Sequence, residues 1–360
     1  MNSDLNFQLS RIADQFLPPL EWKSEPVTGG LINRSWKLSH PAGGNWLLQQ
    51  INTRVFLNPE AIQRNYQLVQ QSLNEAGSLY QLPQLIPCRD GRLLVQLPDK
   101  SCWRMFEWVA HAVSYPEVAD PEQSWMVARC FGRFVTDLQY APVERFQWVL
   151  PGFHDLTLRV KQLDQAIAQN RVGRLTQCIP LLELMEPYRQ LEKRYRYFCE
   201  HPGAFRQYVL HHDTKISNIL FHDQTGAVIT PVDLDTTMPG YYFSDLGDMV
   251  RTLAPSVSEG HPEPDALEIR PLHYEALREG YLEQVSSLFT REELELIDYS
   301  GMILSYMQCV RFLTDYLDGD RYYAIQSAED NFRKARNQFN LLQRLEDFLE
   351  RKYRIRPVRR

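Results

Sequence analysis

The sequence predicts an α+β fold in two lobes, a small, mainly β N-lobe with one helix (1–110) and a larger, mainly helical C-lobe (111–360). Three observations lead there. A length of 360 residues exceeds one ordinary hydrophobic core. The first third alternates β-prone runs with turn clusters. Beyond about residue 110 the composition shifts, and apolar residues recur at helical spacing.

Taken in order, 27–39 and 46–51 are β-prone runs joined by the turn cluster Pro-Ala-Gly-Gly-Asn at 41–45. Asn58-Pro59-Glu60 opens a helix with a cap, a proline at its first position and an acid in its first turn. Ile62, Tyr66, Val69 and Leu73 mark its inner face. Further strands are expected over 92–97 and 102–109. Asp120-Pro121-Glu122 then starts a helix carrying Val127, Phe131, Phe134 and Leu138. Two more helices are expected, over about 181–200 and 328–352, each with an aromatic-rich inner stripe. Short strands at 208–210, 218–221 and 227–232 lie between them.

Composition removes several function classes. The net charge of −6 leaves no global basic field for nucleic acid. The six cysteines are scattered without a C-x-x-C pair, against both a structural zinc site and a disulfide framework. The N-terminus is polar, and no apolar run approaches a membrane span. A cytoplasmic protein, monomer or homodimer, with no membrane partner is expected. The basic C-terminal residues read as a frayed, solvated tail.

The chemistry concentrates in Val209-Leu-His-His-Asp-Thr-Lys-Ile-Ser-Asn-Ile-Leu-Phe221 and Val232-Asp-Leu-Asp235. An apolar strand delivers Asp213, Asn218 follows five positions later, and a hairpin partner ends in Asp233. Phosphoryl transfer needs a carboxylate to accept the attacking hydroxyl's proton, and hard oxygen ligands for magnesium on the phosphates. Asp213 suits the first task; Asn218 and Asp233 suit the second. ATP and Mg2+ are the expected cofactors.

Here the chain resembles the aminoglycoside phosphotransferase and choline kinase superfamily, which has a two-lobed protein-kinase-like fold. Its H-x-D-x-x-x-x-N loop matches His211 through Asn218, and its metal aspartate matches Asp233. The strings HHDTKISNIL, DLDTTMPG, SDLGDMVR and VRFLTDYLDGDRYY look like the N-acetylhexosamine 1-kinase branch, as do GGLINRSW, WLLQQIN and WRMFEWVAHAVSY. The resemblance implies a sugar acceptor phosphorylated at its anomeric hydroxyl. It implies sugar contacts at Arg311 and Tyr322, with Thr214 and Lys215 beside the base. Asp245 is expected to brace the catalytic loop behind His211, and Asp235 to touch metal or sugar.

The first hairpin, with Gly29, Gly30, Asn33, Arg34 and Ser35, is where kinases cover the phosphates, and glycines let backbone N–H groups approach oxygen anions. Residues 106–109, including Glu107 and Val109, are expected to meet adenine through their backbone. One departure matters. Kinases hold the phosphates with a third-strand lysine paired to a helix glutamate. Here Gln49 or Gln50 stands in that strand, and the helix reads Asn65-Tyr66-Gln67-Leu68. Arg34 and Lys215 are the candidate replacement cations. Phe153-His154-Asp155 reads as a helix start capped by Asp155. Other small acceptors (choline, an aminoglycoside, another sugar) and a catalytically inactive nucleotide-binding scaffold are the competing readings.

Overall fold

The computed structural model describes residues 2–19, 21–28, 32–40 and 43–358. Gly29 and Gly30, expected at the phosphates, lie outside the described residues. Two units divide the chain, and neither is one continuous segment. The first comprises Met1–Pro116, Tyr140–Leu150 and Ser217–Met238; the second comprises Glu117–Gln139, Pro151–Ile216 and Pro239–Arg360.

In the first unit, helix α1 (Asn2–Ala13) precedes an antiparallel sheet. Its strands are β1 (Lys23–Val27), β2 (Arg34–Ser39), β3 (Asn45–Ile51), β4 (Leu85–Ile86), β5 (Val95–Gln96) and β6 (Cys102–Glu107). They run in the order β1-β2-β3-β6-β4, with β5 also on β6. Gly43 and Gly44, at φ of 101° and 98°, make the β2–β3 turn, a conformation only glycine adopts without strain. Helix α2 (Pro59–Glu75) starts as expected, the Asn58 side chain accepting the Ala61 N–H at 3.2 Å.

The pleat gives the sheet two faces of different chemistry. One presents Leu38, Leu48, Trp103 and Met105, buried with Leu9, Ile12, Ala13 and Phe16 of α1 and the residues just after it. The sequence reading leaves α1 out, because its apolar stripe is short and lies in a polar segment. The opposite face carries a polar row, Ser35, Gln49 and Arg104, set by the register across β2, β3 and β6. A second sheet joins β7 (Ala112–Val113) to a hairpin of β9 (Ile219–His222) and β10 (Val228–Pro231).

The second unit is mainly helical. Helix α3 (Pro121–Asp137), capped by Asp120 as expected, packs on α8 (Pro271–Val285). Helix α4 (Leu156–Gln169) starts at the Asp155 cap, which accepts the Leu158 N–H at 2.9 Å. The single helix expected over about 181–200 is broken into α5 (Leu175–Met185) and α6 (Gln190–Glu200), with a 3-10 turn containing Pro187 between them. Strands β8 (Gln207–Leu210) and β11 (Met238–Tyr241) pair, and β8 runs directly into His211. Helices α7 (Phe243–Leu253), α9 (Arg291–Glu295), α10 (Ser300–Leu317) and α11 (Asp330–Tyr353) complete it. Helix α10 is buried almost all round, packed by α4, α7 and α11. Among the described residues, no helix is long and apolar enough to cross a membrane.

The C-terminal tail differs from expectation. Val358 is buried, Arg356 accepts the Tyr299 hydroxyl at 2.9 Å, and the Val358 N–H donates to Glu346. Those bonds pin the tail, so it is docked rather than frayed up to residue 358.

Close backbone approach between α7 and α10 rests on Gly247, where a Cβ would lie 2.5 Å from the Ser300 carbonyl oxygen. Gly247→Ala should therefore cost about 1–3 kcal/mol, read as a Tm several degrees lower by calorimetry. Gly203→Ala, with open space around it, should leave Tm nearly unchanged. Equal shifts for the two would refute this packing.

Candidate active site

In the second unit, β8 leads into His211-His212-Asp213. His212 sits at φ 67°, a left-handed conformation that costs a non-glycine residue on the order of 1 kcal/mol. The restraint comes from α7. Asp245, fully buried in its first turn, accepts the His212 N–H at 2.7 Å and the His211 N–H at 3.1 Å. Asp248, one turn later, accepts the Thr214 N–H at 2.8 Å, and the Thr214 hydroxyl donates to the Asp245 carbonyl at 2.7 Å. Asp248 is itself held by Arg251 at 2.7 Å. The His211 ring packs edge-on to Phe131 at 5.0 Å. His212 Nδ1 meets the Ser244 hydroxyl at 2.6 Å, and Gly240 of β11 leaves room for its ring. Asp213 remains half-buried, with Lys215 Nζ 3.0 Å from its carboxylate.

Asp245 answers to its surroundings. Burial pushes its carboxyl up to about 7, against the two backbone donors, and the charges of Asp248 and Asp213 push the same way as burial.

In the first unit, Asn218 and Asp233 meet at the open end of the β9–β10 hairpin, where the Val232 N–H donates to the Asn218 carbonyl at 2.9 Å. Asp233 is left-handed at φ 60° and exposed, a conformation aspartate tolerates better than most residues. The segment after it is fixed from three directions. Asp235 Oδ1 takes Arg104 Nη2 at 2.6 Å, and its Oδ2 takes Asn33 Nδ2 at 2.7 Å. Asn65 of α2 donates to the Thr237 carbonyl at 2.9 Å and the Gln147 carbonyl at 2.8 Å. Arg104 and Asp235 are 2% and 3% exposed, so this is a fully desolvated ion pair. Gln49 accepts from Arg104 Nε at 2.8 Å and donates to the Ser35 hydroxyl at 3.0 Å.

That network settles the register question left by the sequence. Gln49, not Gln50, stands on the polar face; Gln50 pairs with Arg34 on the opposite one. Arg34 is exposed there and does not join Ser35, Gln49 and Arg104. Arg104 was missed because nothing local marks it: its partners are 55 and 131 positions away. The one available signal is a lone charge on the same face as Cys102 and Phe106, inside the otherwise apolar run 102–106. Strand β6 ends at Glu107 rather than continuing to Val109, and the Glu107 N–H is used by the Gln84 carbonyl at 2.9 Å.

A cavity of about 370 Å³ opens in the second unit, lined by Arg159, Arg311, Tyr322 and Tyr323 among others. Thr214 and Lys215 do not line it. Arg311 lies over the Phe153 ring at 4.8 Å, Phe153 stacks on His154 at 4.3 Å, and His154 shares the Ser244 hydroxyl with His212. A continuous line of contacts thus runs from the cavity to the residue before Asp213. Asp315 in the wall is occupied by the N–H groups of Arg321, Tyr322 and Tyr323, while Asp318 makes only a loose ion pair with Arg171 at 3.7 Å. Arg159 and Arg311 make no ion pair among the described residues. Burial, with the charge of Arg311 added, pushes Arg159 down to about 10. Desolvation holds half-buried His154 well below the usual histidine range, and the charges of His212 and Arg311 push the same way.

The model of the phosphotransferase enzyme family, APH, matches residues 23–296. The chain belongs to that family. Among solved structures it is similar to a microcompartment-associated aminopropanol kinase, with 18% identity, 95% of this chain and 98% of that chain covered, and a TM-score of 0.63. It is similar to an aminoglycoside phosphotransferase from Alicyclobacillus acidocaldarius, at 12% identity, 95% and 96% coverage, and a TM-score of 0.60. An amicoumacin kinase in complex with AMP-PNP and calcium matches at 11% identity, 95% and 96% coverage, and a TM-score of 0.58. The protein-kinase-like fold of this phosphotransferase family, a β-rich N-terminal part followed by a larger helical part, agrees with the expectation from sequence.

The raised Asp245 carboxyl has a consequence for stability. Its folded pKa lies above that of the unfolded chain, so its contribution is complete below about pH 4 and lost as pH rises through about 7. Wild type should lose about 3 kcal/mol relative to Asp245→Asn between pH 5 and pH 8. Urea midpoints across that range check it, and parallel curves would refute it.

Proposed function

We propose that this phosphotransferase is an ATP- and magnesium-dependent kinase that phosphorylates a free sugar, an N-acetylhexosamine, at its anomeric hydroxyl. The cavity beside Arg311 carries the acceptor class. Four arginines and two aspartates line it, and Arg159 and Arg311 make no ion pair among the described residues, so an aminoglycoside or choline would meet net like charge in a partly desolvated site. A neutral polyol with an amide offers acceptors to arginine and ring faces to Tyr322 and Tyr323. The rings that could cage choline are already taken: Tyr242 is buried among Phe198, Phe205 and Phe289, and the Arg311 guanidinium lies over Tyr322 and Tyr323 at 5.8 and 5.7 Å.

In this reading the sugar hydroxyl oxygen attacks the γ-phosphorus, the bond to ADP breaks, and the hydroxyl proton passes to the Asp213 carboxylate. Positioning carries most of the catalysis, which explains why α7 grips the backbone on both sides of Asp213. Asn218 and Asp233 are the proposed magnesium ligands. Their hard oxygen donors suit an ion that takes one or two carboxylates and completes its shell with water and phosphate. Asn218 and Asp233 would hold it where its positive charge could offset charge on the phosphates. The AMP-PNP and calcium in the amicoumacin kinase structure support the nucleotide and divalent-cation parts of the reading.

ATP consumption across free hexosamines, hexoses, choline and aminoglycosides tests the acceptor. Turnover should require a free anomeric hydroxyl, and the product phosphate should be labile in mild acid. Turnover confined to cationic acceptors would overturn the proposal. Asp213→Asn should keep the wild-type Tm and lose kcat by roughly 100- to 10,000-fold. Arg311→Ala should raise the sugar KM about 10- to 100-fold with the ATP KM unchanged; equal effects on both would remove Arg311 from the acceptor site.

A further inference from the structure

The third-strand lysine is absent, and the structure holds a cation in the same row of the sheet, one strand over. Arg104 of β6 stands directly opposite Gln49, the residue on the polar face of β3. Gln49 Oε1 binds both Nε and Nη2 of Arg104, so the neutral amide leads straight to a full positive charge. Asp235, two residues after Asp233, takes Nη2 as well. Nη1 is buried and has no hydrogen-bond partner among the described residues. A buried guanidinium N–H left unmatched is costly, and charge-assisted bonds are the ones that repay most. The neighbours of the network are the residues of the first hairpin, Asn33 through Asp235 and Ser35 through Gln49.

We propose that Arg104 is the nucleotide-phosphate cation of this protein, moved from β3 to β6, with Nη1 donating to an ATP phosphate oxygen. Asp235 takes the role of the pairing carboxylate that kinases place on a helix; here α2 offers Asn65 instead, spent on the Thr237 and Gln147 carbonyls. Neither Arg34, on the far face of the sheet, nor Lys215, ion-paired with Asp213, is required for this task. The inference rests on the reading that the chain binds ATP.

Calorimetric titration of the full chain with ADP and with adenosine, both without magnesium, separates the possibilities. Arg104→Gln should weaken ADP binding about 10- to 100-fold and leave adenosine within about threefold. Gln49→Lys/Arg104→Gln, which returns a cation to β3, should restore ADP affinity to within about tenfold of wild type. Arg104→Lys, which keeps the charge in place, should lose less ADP affinity than Arg104→Gln. Unchanged ADP affinity in folded Arg104→Gln overturns the inference, as does equal loss of ADP and adenosine, the mark of a purely structural strut. If Arg104→Gln does not fold, the comparison passes to Arg104→Lys and the double variant, where the same loss of adenosine as of ADP is again fatal. Wild type binding neither ligand would defeat the nucleotide reading itself, a result distinct from the others.

Discussion

The buried ion pair between Arg104 and Asp235 is the interaction on which the first unit depends. Two charges taken out of water in one place gain little net stability, yet removing either partner leaves the other stranded, at roughly 3–5 kcal/mol. The pair therefore fixes geometry more than it adds stability. It joins a central strand to the segment that follows Asp233, and Asn33 brings the first hairpin to the same carboxylate. Asn65 closes the arrangement from α2. A loop with a left-handed aspartate at its head is thereby held by side chains from three separate elements.

The second unit solves the same problem with a different device. There the loop at Asp213 is held by its own backbone N–H groups, donated to carboxylates on α7. Helix α7 can serve because glycine lets it seat against α10, a helix buried on nearly every side. Core packing is thus converted into loop position, and a non-glycine residue stays left-handed at His212 because two hydrogen bonds on a single carboxylate outweigh its strain. Both units assign backbone restraint to buried neighbours: Asp213 stays half-buried and Asp233 exposed, while Asp245 and Asp235 are fully buried.

What the sequence made legible follows from range. Caps at Asn58, Asp120 and Asp155 announce themselves within three residues, and each forms as read. The stripes of α2, α3 and α11 repeat often enough to be seen. Helix α1 has a stripe too short to stand out, and the expected helix over 181–200 gives way to a 3-10 turn where proline removes a backbone donor. Motif spacing was enough for the phosphotransferase family, because the strings around Asp213 are contiguous. The Arg104 network was not legible, since β pairing over long separations leaves no local trace. The docked tail was hidden for the same reason: Val358 is buried through contacts with residues that carry no sequence signal of the tail.

The first unit is assembled from three stretches of chain, and the last of them, Ser217–Met238, supplies Asp235. During synthesis Arg104 leaves the ribosome 131 residues ahead of its carboxylate. At ordinary elongation rates that interval is roughly 7–26 s, far longer than hairpin formation. The nascent sheet can bury its apolar face against α1 at once, while its polar face must stay wet until the chain returns. Vectorial folding therefore halts with one side finished, and the polar face with Arg104 is the last part of this unit to become native.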